Sequence, residues 1–386
     1  MLKPIAITAL ASFSPLGNQP ELIWEEYLKG TSLISEKEIG TQKVPVASLP
    51  VSLQQLVVDL KASDYKYKPL DNSVLYAMLA SREAIRQAGW SENDVFGINI
   101  GSSRGATELF ENYFEEFIAT GKTSTLASPT TTLGNISTWI AHDLKSTGPE
   151  ISHSITCSTA LHALLNGVAW LRSGMAEKFL VGGSEAPLTP FTIAQMQALK
   201  IYSKDTSEFP CKAFDLEKEK STMVLGEGAG ILCLETGIHE SALAYVEGVG
   251  YATDILEHGI SISTEAECFK KSMRMAIGNV PLEEIDAIVM HAPGTLKGDT
   301  SEYKAIQNVF GDALPMLTTN KWKIGHTFGS SGILSLEMAV LMMQHQQFIE
   351  VPFVKPQAKR NAIRKVLVNA VGFGGNAVSV LISKPV

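Results

Sequence analysis

Short runs of aliphatic and β-branched residues alternate along this chain with longer stretches whose apolar positions recur at helical spacing. In a strand such runs are brief, whereas an amphipathic helix repeats its apolar face every three to four residues. Asp71 precedes a strongly periodic stretch and is a good helix N-cap, so a helix should begin there and run to Ala88. The first half predicts strands over 4–9, 97–100, 151–156, 178–182 and 231–235, and further helices over 20–29, 107–118 and 160–171.

The second half repeats this alternation after the pattern resets around 236–241. It predicts strands over 244–249, 285–290, 314–318, 366–370 and 378–382, and helices over 266–277, 300–310 and 333–344. A chain of 386 residues exceeds one ordinary core, which favours two fused units, 1–237 and 238–386. Alternating strands and helices predict mixed, largely parallel sheets covered by helices in an α/β fold.

Composition excludes several classes of protein. Apolar residues make up 45% and charged residues 19% of the chain, which are globular values. The net charge of −8 argues against a general binder of nucleic acid or anionic membranes. No apolar run approaches the ~18 residues of a membrane span, and the best one, 333–343, is interrupted by Glu337.

The cysteines and the N-terminus indicate a cytoplasmic protein. The four cysteines form no C-x-x-C pair and have no metal-ligand spacing with the eight histidines, so neither a disulfide scaffold nor a metal site is expected. Lys3 and the apolar residues after it faintly resemble a signal peptide, but the run is short and fits a first strand and turn better.

Cys157 is the candidate nucleophile, because it lies where the predicted strand 151–156 gives way to the apolar helix 160–171. A thiol at a helix N-terminus meets unpaired N–H groups and the positive end of the helix dipole, which should lower its pKa. A buried structural cysteine is the alternative, since a free cysteine also behaves as a small apolar residue.

Ser103 is the rival nucleophile. Residues 101–105 read Gly-Ser-Ser-Arg-Gly between a strand and a helix, which is formally the G-x-S-x-G pattern of serine hydrolases. Such a hydrolase would also need an acid and a histidine, for which Asp286 with His291 or Asp299 with His326 could serve. Otherwise Ser103 has only a role in a backbone turn.

Two glycine clusters resemble nucleotide-binding motifs without their context. The cluster at 226–230 is followed by a strand and lacks the lysine of a P-loop, so it predicts a packing turn. The cluster at 371–377 contains a G-x-G-x-x-A string but also leads into a strand, whereas a dinucleotide-binding turn must open a helix. No cofactor is therefore expected.

Together, these segments resemble the elongating β-ketoacyl-acyl-carrier-protein synthases of the thiolase superfamily. The family patterns are T-A-C-S-[ST], H-G-T-x-T-x-x-G-D, K-S-x-x-G-H, G-F-G-G and P-F-D with G-E-G-A-G. The corresponding segments occur across almost the whole chain: Ile155-Thr-Cys-Ser-Thr159, the loop 291–299, Lys321 to His326, Gly372-Phe-Gly-Gly375, and Phe214-Asp215 with 226–230.

The resemblance implies a thiolase-like duplicated fold, in which two similar halves with mixed, mostly parallel five-stranded sheets form an αβαβα arrangement. It also implies a site. Cys157 would carry the acyl group, with the N–H groups of Cys157 and Phe373 as the oxyanion hole and with Gly372 and Gly374 in the adjoining gate. His291 and His326 would donate to the thioester oxygen of the second substrate, Lys321 would keep them neutral, and Glu227 would pair with or orient Lys321.

The expected reaction is a decarboxylative Claisen condensation of the acyl group on Cys157 with malonyl-acyl-carrier protein. Degradative thiolases have a cysteine, and initiating synthases an asparagine, in place of one of the two histidines. Chain-length-factor paralogues lack the nucleophile that Cys157 provides. The departures His-Ala-Pro-Gly-Thr at 291–295, the shortened gate and the altered segment 218–222 point to a specialised ketosynthase of a polyketide, polyene or pigment pathway as readily as to fatty-acid synthesis.

The resemblance also implies partners. Acidic acyl carrier protein should dock on a local basic patch, for which Lys66 and Lys68, then Lys200 and Lys204, are candidates. A homodimer joined through the N-terminal halves is expected, and a heterodimer with a ketosynthase paralogue is the alternative. The six remaining histidines are expected to be structural: His142, His153, His162, His239, His258 and His345.

Overall fold

The computed structural model describes residues 3–133, 135–255, 265–358 and 360–385. Within these residues the strands, in chain order, are β1 (Ile5–Phe13), β2 (Ser35–Ile39), β3 (Gln42–Ala47), β4 (Gly97–Gly101), β5 (Glu150–Ile151), β6 (Lys178–Glu185), β7 (Leu225–Gly226), β8 (Gly228–Thr236), β9 (Ala244–Thr253), β10 (Ala287–Val289), β11 (Met316–Thr318), β12 (Lys365–Gly372) and β13 (Asn376–Ser383).

Each predicted helical stretch forms a helix, and five further helices among the described residues were not predicted. They are α1 (Pro20–Leu28), α2 (Val51–Ser63), α3 (Asn72–Ala88), α4 (Thr107–Thr120), α5 (Ala127–Thr131), α6 (Asn135–Leu144), α7 (Thr159–Ser173), α8 (Pro190–Ala198), α9 (Glu267–Ile277), α10 (Leu296–Phe310), α11 (Lys321–Ile324) and α12 (Ser331–His345). The predicted cap of α3 is formed, because the Asp71 side chain accepts from the N–H of Ser73.

Ten of these strands form one continuous sheet among the described residues, in the order β11-β10-β12-β13-β9-β1-β8-β6-β4-β5. The N-terminal strands lie on one side and the C-terminal strands on the other, joined by a short antiparallel contact of β1 with β9. In each set of five, two pairings are parallel and two are antiparallel. The sheet is therefore mixed and has more antiparallel pairing than expected. This is because β12 and β13 form a hairpin, and because β8 pairs antiparallel with both of its neighbours, β1 and β6.

Three apolar clusters show how the layers stack. One contains α7 and α12 together with strands of both sets, a second packs α3 and α6 on the N-terminal strands, and a third packs α9 and α10 on the C-terminal strands. Helix α12 is buried over nearly its whole circumference, as a central layer requires. The predicted boundary after residue 237 falls in the connection between β8 and β9.

The predicted strand 151–156 is the main error, because β5 comprises only Glu150–Ile151 at the sheet edge. The carbonyl oxygen of Ile151 accepts from the side chains of Asn99 and Ser137 instead of continuing a ladder. Thr156 has a φ of 46°, which an extended strand does not allow. The chain therefore leaves the sheet before it reaches Cys157.

Candidate active site

Cys157 lies one residue before the N-cap Ser158 of α7, as the sequence predicted, and its side chain is buried. Thr156, just before it, adopts the left-handed region, which is rare for a β-branched residue. The hydroxyl of Thr156 is buried and has no hydrogen-bond partner in the described structure. A strained residue next to a nucleophile indicates a conformation held by the surrounding fold.

Gly372 allows the gate to approach this strained segment. A Cβ at position 372 would overlap the hydroxyl of Thr156 and lie 3.0 Å from the carbonyl oxygen of Ile155. Residues 373–375 close the hairpin between β12 and β13, where Gly374 has a φ of 91°. The hairpin thereby brings Phe373 to the same cavity wall as Cys157.

His291 follows β10 and His326 follows α11, and the two buried imidazoles meet edge to face. Their ring centres lie 5.2 Å apart at an angle of 88°. Both rings line a mostly apolar cavity of about 270 Å³ that also includes Cys157, Phe328, Gly372 and Phe373. The structure thus brings the predicted thiol, both histidines and the gate together.

Glu302 fixes the backbone of the first histidine loop. Its carboxylate accepts from the N–H groups of His291 and Ala292 at 2.9 and 2.8 Å, and from the side-chain amide of Asn369 at 3.1 Å. Ala292 has a φ of 23°, so this turn also departs from ordinary backbone geometry. Burial raises the pKa of Glu302 to about 7, while these N–H donors oppose that rise.

Asp299 fixes the far end of the same loop. Its carboxylate accepts from the N–H groups of Gly294 and Phe214 and from the ammonium of Lys218, at 2.7 to 3.0 Å. No sequence motif assigned a function to Glu302 or Lys218. Both residues matter because α10 folds back over the loop, and no local pattern in the sequence predicts that contact.

Lys321 is buried and donates to the side-chain oxygens of Asn320 and Ser335, each at 3.0 Å. Burial lowers its pKa to about 8, and Glu302 is the first of the acidic groups that oppose this shift. The expected pairing with Glu227 is not formed. Glu227, between β7 and β8, instead accepts from the N–H of Leu49 and the hydroxyl of Tyr76, each at 3.0 Å.

The protonation states suit two neutral imidazoles. Burial and then the charge of Lys321 lower the pKa of His326 to about 3. Burial, His326 and Lys321 likewise hold the pKa of His291 well below its usual range. The predicted influence of Lys321 on the histidines is therefore present, although burial is the larger cause.

The expected lowering of the Cys157 pKa is not found. Burial and the Glu185 carboxylate raise the pKa of the thiol to about 12, against smaller opposing effects of Arg104 and Lys321. The position before α7 was predicted correctly, but the sequence did not reveal how completely the sulfur would be removed from water. Burial and Glu185 thus favour the protonated thiol.

The geometry does not support the serine hydrolase. The N–H of Ser103 donates to the Glu185 carboxylate, and its carbonyl accepts from the Ser154 hydroxyl, so Ser103 serves a backbone turn. Asp286 accepts from the N–H groups of residues 364 and 365. Asp299 accepts from Phe214, Lys218 and Gly294. In the described structure, neither acid forms a hydrogen bond to the histidine that was considered as its partner.

The other predicted features lie outside the cavity. Lys66, Lys68, Lys200 and Lys204 are exposed, and Lys66 pairs with Asp64 at 3.2 Å. The glycines at 226–230 pack closely, as expected, since a Cβ at Gly226 would overlap the carbonyl of residue 324. Five of the other histidines make ordinary contacts, namely His142, His153, His162, His239 and His345, whereas His258 lies outside the described residues.

Two negative findings concern the described part of the chain. It contains no cluster of histidine, cysteine or acidic side chains able to hold a metal ion. None of its helices is both long and apolar enough to cross a membrane.

Comparison with known proteins agrees with this geometry. Residues 2–238 match the model of the β-ketoacyl synthase N-terminal domain, and residues 243–354 match that of the C-terminal domain. The chain is 29% identical over 409 aligned positions to 3-oxoacyl-[acyl-carrier-protein] synthase 2 of Staphylococcus aureus (strain COL), covering 98% of each protein.

Solved structures show the same fold. The ishigamide ketosynthase/chain length factor superposes with a TM-score of 0.86 at 22% sequence identity. A type II polyketide ketosynthase in complex with its acyl-carrier protein superposes with a TM-score of 0.85 at 19% sequence identity. Each comparison covers 100% of both chains. The fold is therefore the thiolase-like fold of ketosynthases. With both domain models matched in order, the chain belongs to the β-ketoacyl synthase family of condensing acyltransferases.

Proposed function

We propose that this protein joins an acyl group held on Cys157 to a malonyl group delivered by acyl carrier protein, with loss of CO2, to give a 3-oxoacyl-acyl-carrier protein. The observation that carries the proposal is the shared cavity of one thiol and two imidazoles whose pKa values are held far below neutrality. A thiolate is both a good nucleophile and a good leaving group, so Cys157 suits both halves of the reaction.

In the first half-reaction the sulfur of Cys157 attacks the acyl thioester, and the carrier's thiol leaves with the proton that Cys157 gives up. The N–H groups of Cys157 and Phe373 stabilise the oxyanion. Gly372 serves this step indirectly, because its close approach to Thr156 sets the position of Phe373, and Gly374 forms the left-handed turn that follows. No metal or cofactor is required.

In the second half-reaction the malonyl group loses CO2, and the electron pair of the broken C–C bond becomes an enolate on the thioester. His291 and His326 donate to the enolate oxygen, and each such donor is worth roughly 3 kcal/mol in comparable sites. The Nδ1 atoms of both rings are buried without hydrogen-bond partners in the described structure. This favours protons on the Nε2 atoms, because an unpaired buried donor costs more than an unpaired acceptor.

The enolate carbon then attacks the acyl carbonyl on Cys157, a new C–C bond forms, and the cysteine sulfur departs and regains a proton. Lys321 supports this step by keeping positive charge near the imidazoles, which disfavours imidazolium. Glu302 and Asp299 hold the loop of His291 in place. Glu227 has no part in the proposed chemistry.

The critical experiment follows each half-reaction separately. Intact mass spectrometry should show an acyl adduct that is lost in Cys157→Ala and retained in Ser103→Ala. His291→Ala and His326→Ala should still be acylated but should release CO2 from malonyl carrier protein at least tenfold more slowly. An acyl adduct that persists in Cys157→Ala, or is lost in Ser103→Ala, would contradict the proposal.

The partners are part of the proposal. Carrier-protein docking at Lys66 and Lys68, with Lys200 and Lys204 second, is supported by their exposure and by a ketosynthase neighbour solved with its acyl-carrier protein. Charge reversal at Lys66 and Lys68 should raise KM for carrier-bound substrate and spare small thioesters. An equal effect on both substrates would contradict docking there.

Assembly and location are also proposed. We expect a homodimer through the N-terminal half, 1–237, and a heterodimer with a paralogue as the alternative, for which the ketosynthase/chain length factor neighbour is a precedent. Light scattering of the purified chain would separate the two. A reducing, cytoplasmic location is expected because all four cysteines are free and Cys157 must stay a thiol.

A further inference from the structure

Lys321 is a buried cation that forms no ion pair with a carboxylate among the described residues. Its ammonium donates to Oδ1 of Asn320 and to Oγ of Ser335, each at 3.0 Å, and both acceptors are neutral. Lys218, by contrast, is paired with the buried carboxylate of Asp299 at 2.7 Å. A buried ion that lacks a counter-ion is costly, so most buried charges are paired. The surroundings of Lys321 therefore hold its nitrogen in place without fixing its charge.

Asn320 and Ser335 form a closed triangle with Lys321. The Ser335 hydroxyl donates to Oδ1 of Asn320 at 3.4 Å, so its oxygen is free to accept from Lys321. Nδ2 of Asn320 donates to the hydroxyl of Tyr27 at 3.5 Å, which turns the amide so that Oδ1 faces Lys321. All four side chains are buried. An ammonium and a neutral amine can both donate two hydrogens to these oxygens, so the triangle accommodates either protonation state.

Charged and titratable groups from several elements act on Lys321. Burial lowers its pKa to about 8, and four groups oppose this shift, in decreasing order Glu302, Cys211, Cys157 and Asp299. Both carboxylates are bonded elsewhere, since Glu302 accepts from backbone N–H groups of the His291 loop and Asp299 from Lys218. The two imidazoles of the site are neutral, because their pKa values lie well below the usual range. Lys321 therefore passes from ammonium to amine as the pH rises through about 8.

We propose that Asn320 and Ser335 are positioning residues that make CO2 release sensitive to pH, because they hold the cation of Lys321 with neutral oxygens alone. The inference rests on the proposed function and concerns its second half-reaction. The enolate formed there is negatively charged, and a positive charge in the same water-excluded site stabilises it. Lys321 supplies that charge at neutral pH and loses it in alkaline solution. Acylation of Cys157 forms no enolate and provides the internal comparison.

The test is the pH profile of CO2 release from malonyl carrier protein. In the wild-type enzyme the rate should fall about tenfold between pH 7 and pH 9, as Lys321 loses its proton. Ser335→Asp places a carboxylate beside the ammonium and should move this fall about one pH unit or more upward. Ser335→Ala removes an acceptor of the ammonium and should move it about half a unit or more downward. Ser335→Thr keeps the hydroxyl and should restore the wild-type profile.

Controls separate this role from folding and from the proposed function. Ser331→Ala removes another buried hydroxyl of α12, one with no hydrogen-bond partner in the described structure, and should leave the profile unchanged. Thermal unfolding identifies the folded variants, and Ser335→Ala with Ser335→Thr suffices if Ser335→Asp does not fold.

Two results would overturn the inference while leaving the condensing function intact. One is an alkaline fall at the same pH in wild type and in the folded Ser335 variants. The other is an equal alkaline fall in the acylation of Cys157, followed by intact mass. If the wild-type enzyme releases no CO2 from malonyl carrier protein at any pH, the proposed function is overturned and this inference with it.

Discussion

Replacing Gly372 by alanine should uncouple the gate from the nucleophile. A Cβ at this position would overlap the hydroxyl of Thr156, lie 3.0 Å from the Cβ of Thr156 and lie 3.0 Å from the carbonyl oxygen of Ile155. Rotation of the threonine side chain relieves only the first of these contacts. The backbone of 155–156 or the end of β12 must therefore move.

The size of the effect follows from that overlap. Ordinary carbon contacts lie at about 3.5 Å or more, so the hydroxyl must shift by roughly 1–2 Å and the two backbones by a few tenths of an ångström. Overfilling a packed site costs about 1–3 kcal/mol of stability. A displacement of about 1 Å in a reacting group lowers the rate about 100-fold, and Cys157 directly follows the displaced residue.

The assay is the single-turnover rate of Cys157 acylation, followed by intact mass, with thermal unfolding measured in parallel. Gly372→Ala should slow acylation about 100-fold while the protein remains folded. Gly374→Ala is the control in the same hairpin, because the nearest atom to its Cβ is the side-chain nitrogen of Asn376 at 3.3 Å and no backbone atom is as close. It should lower stability through its φ of 91° but slow acylation less than tenfold.

A second substitution tests whether the contact with Thr156 causes the loss of acylation. Thr156→Ala in the Gly372→Ala background removes the overlapping hydroxyl and should restore acylation at least tenfold. If the double variant is no faster than Gly372→Ala, the contact with Thr156 is not what couples the gate to Cys157. Wild-type acylation by Gly372→Ala would refute the coupling altogether.

Two further predictions concern buried carboxylates. Glu302→Gln exchanges one acceptor oxygen for a donor that faces the N–H groups of His291 and Ala292. CO2 release should therefore fall at least tenfold, while the rate of acylation of Cys157 changes less than threefold. Equal losses in both rates would contradict the positioning role of Glu302. Burial raises the pKa of Glu337 from 4.5 to about 7, so its contribution to stability is complete below pH 4.5 and is lost as the pH rises through 7. The gain in free energy of unfolding of Glu337→Gln over wild type should therefore be about 2–3 kcal/mol larger at pH 8 than at pH 5 in urea titrations, and a pH-independent difference would contradict it.

The residues of the site that could be predicted from the sequence are those marked by local signals. Cys157 precedes a strongly apolar helix, His291 follows an apolar strand, and the glycines of the gate satisfy backbone conformations that other residues avoid. These features depend on a few neighbouring residues, but the resemblance to the ketosynthases, and not the local signals alone, assigned their roles. The cap of α3 at Asp71 is a further example.

The partners of these residues could not be predicted in the same way. Glu227 and Glu302 are both buried acids, and only the folding of α10 over β10 makes Glu302 the neighbour of His291 and the acid that acts on Lys321. The pKa of Cys157 depends on burial by several elements at once. Such properties arise from contacts between distant segments, which spacing along the chain does not encode.

The same reasoning explains why the predicted strand before Cys157 ends early. Ile and Thr favour strands through their stiff side chains, yet Thr156 is held at a φ of 46°. Ala292 and Phe328, each one or two residues from a proposed catalytic histidine, also have positive φ values. Buried carboxylates hold two of these three turns. Glu302 accepts from the N–H of Ala292, and Glu185 accepts from the N–H of Gly329, which directly follows Phe328. Strain beside the proposed reacting groups is thus held by acids that are distant in sequence, so local propensity fails at these turns.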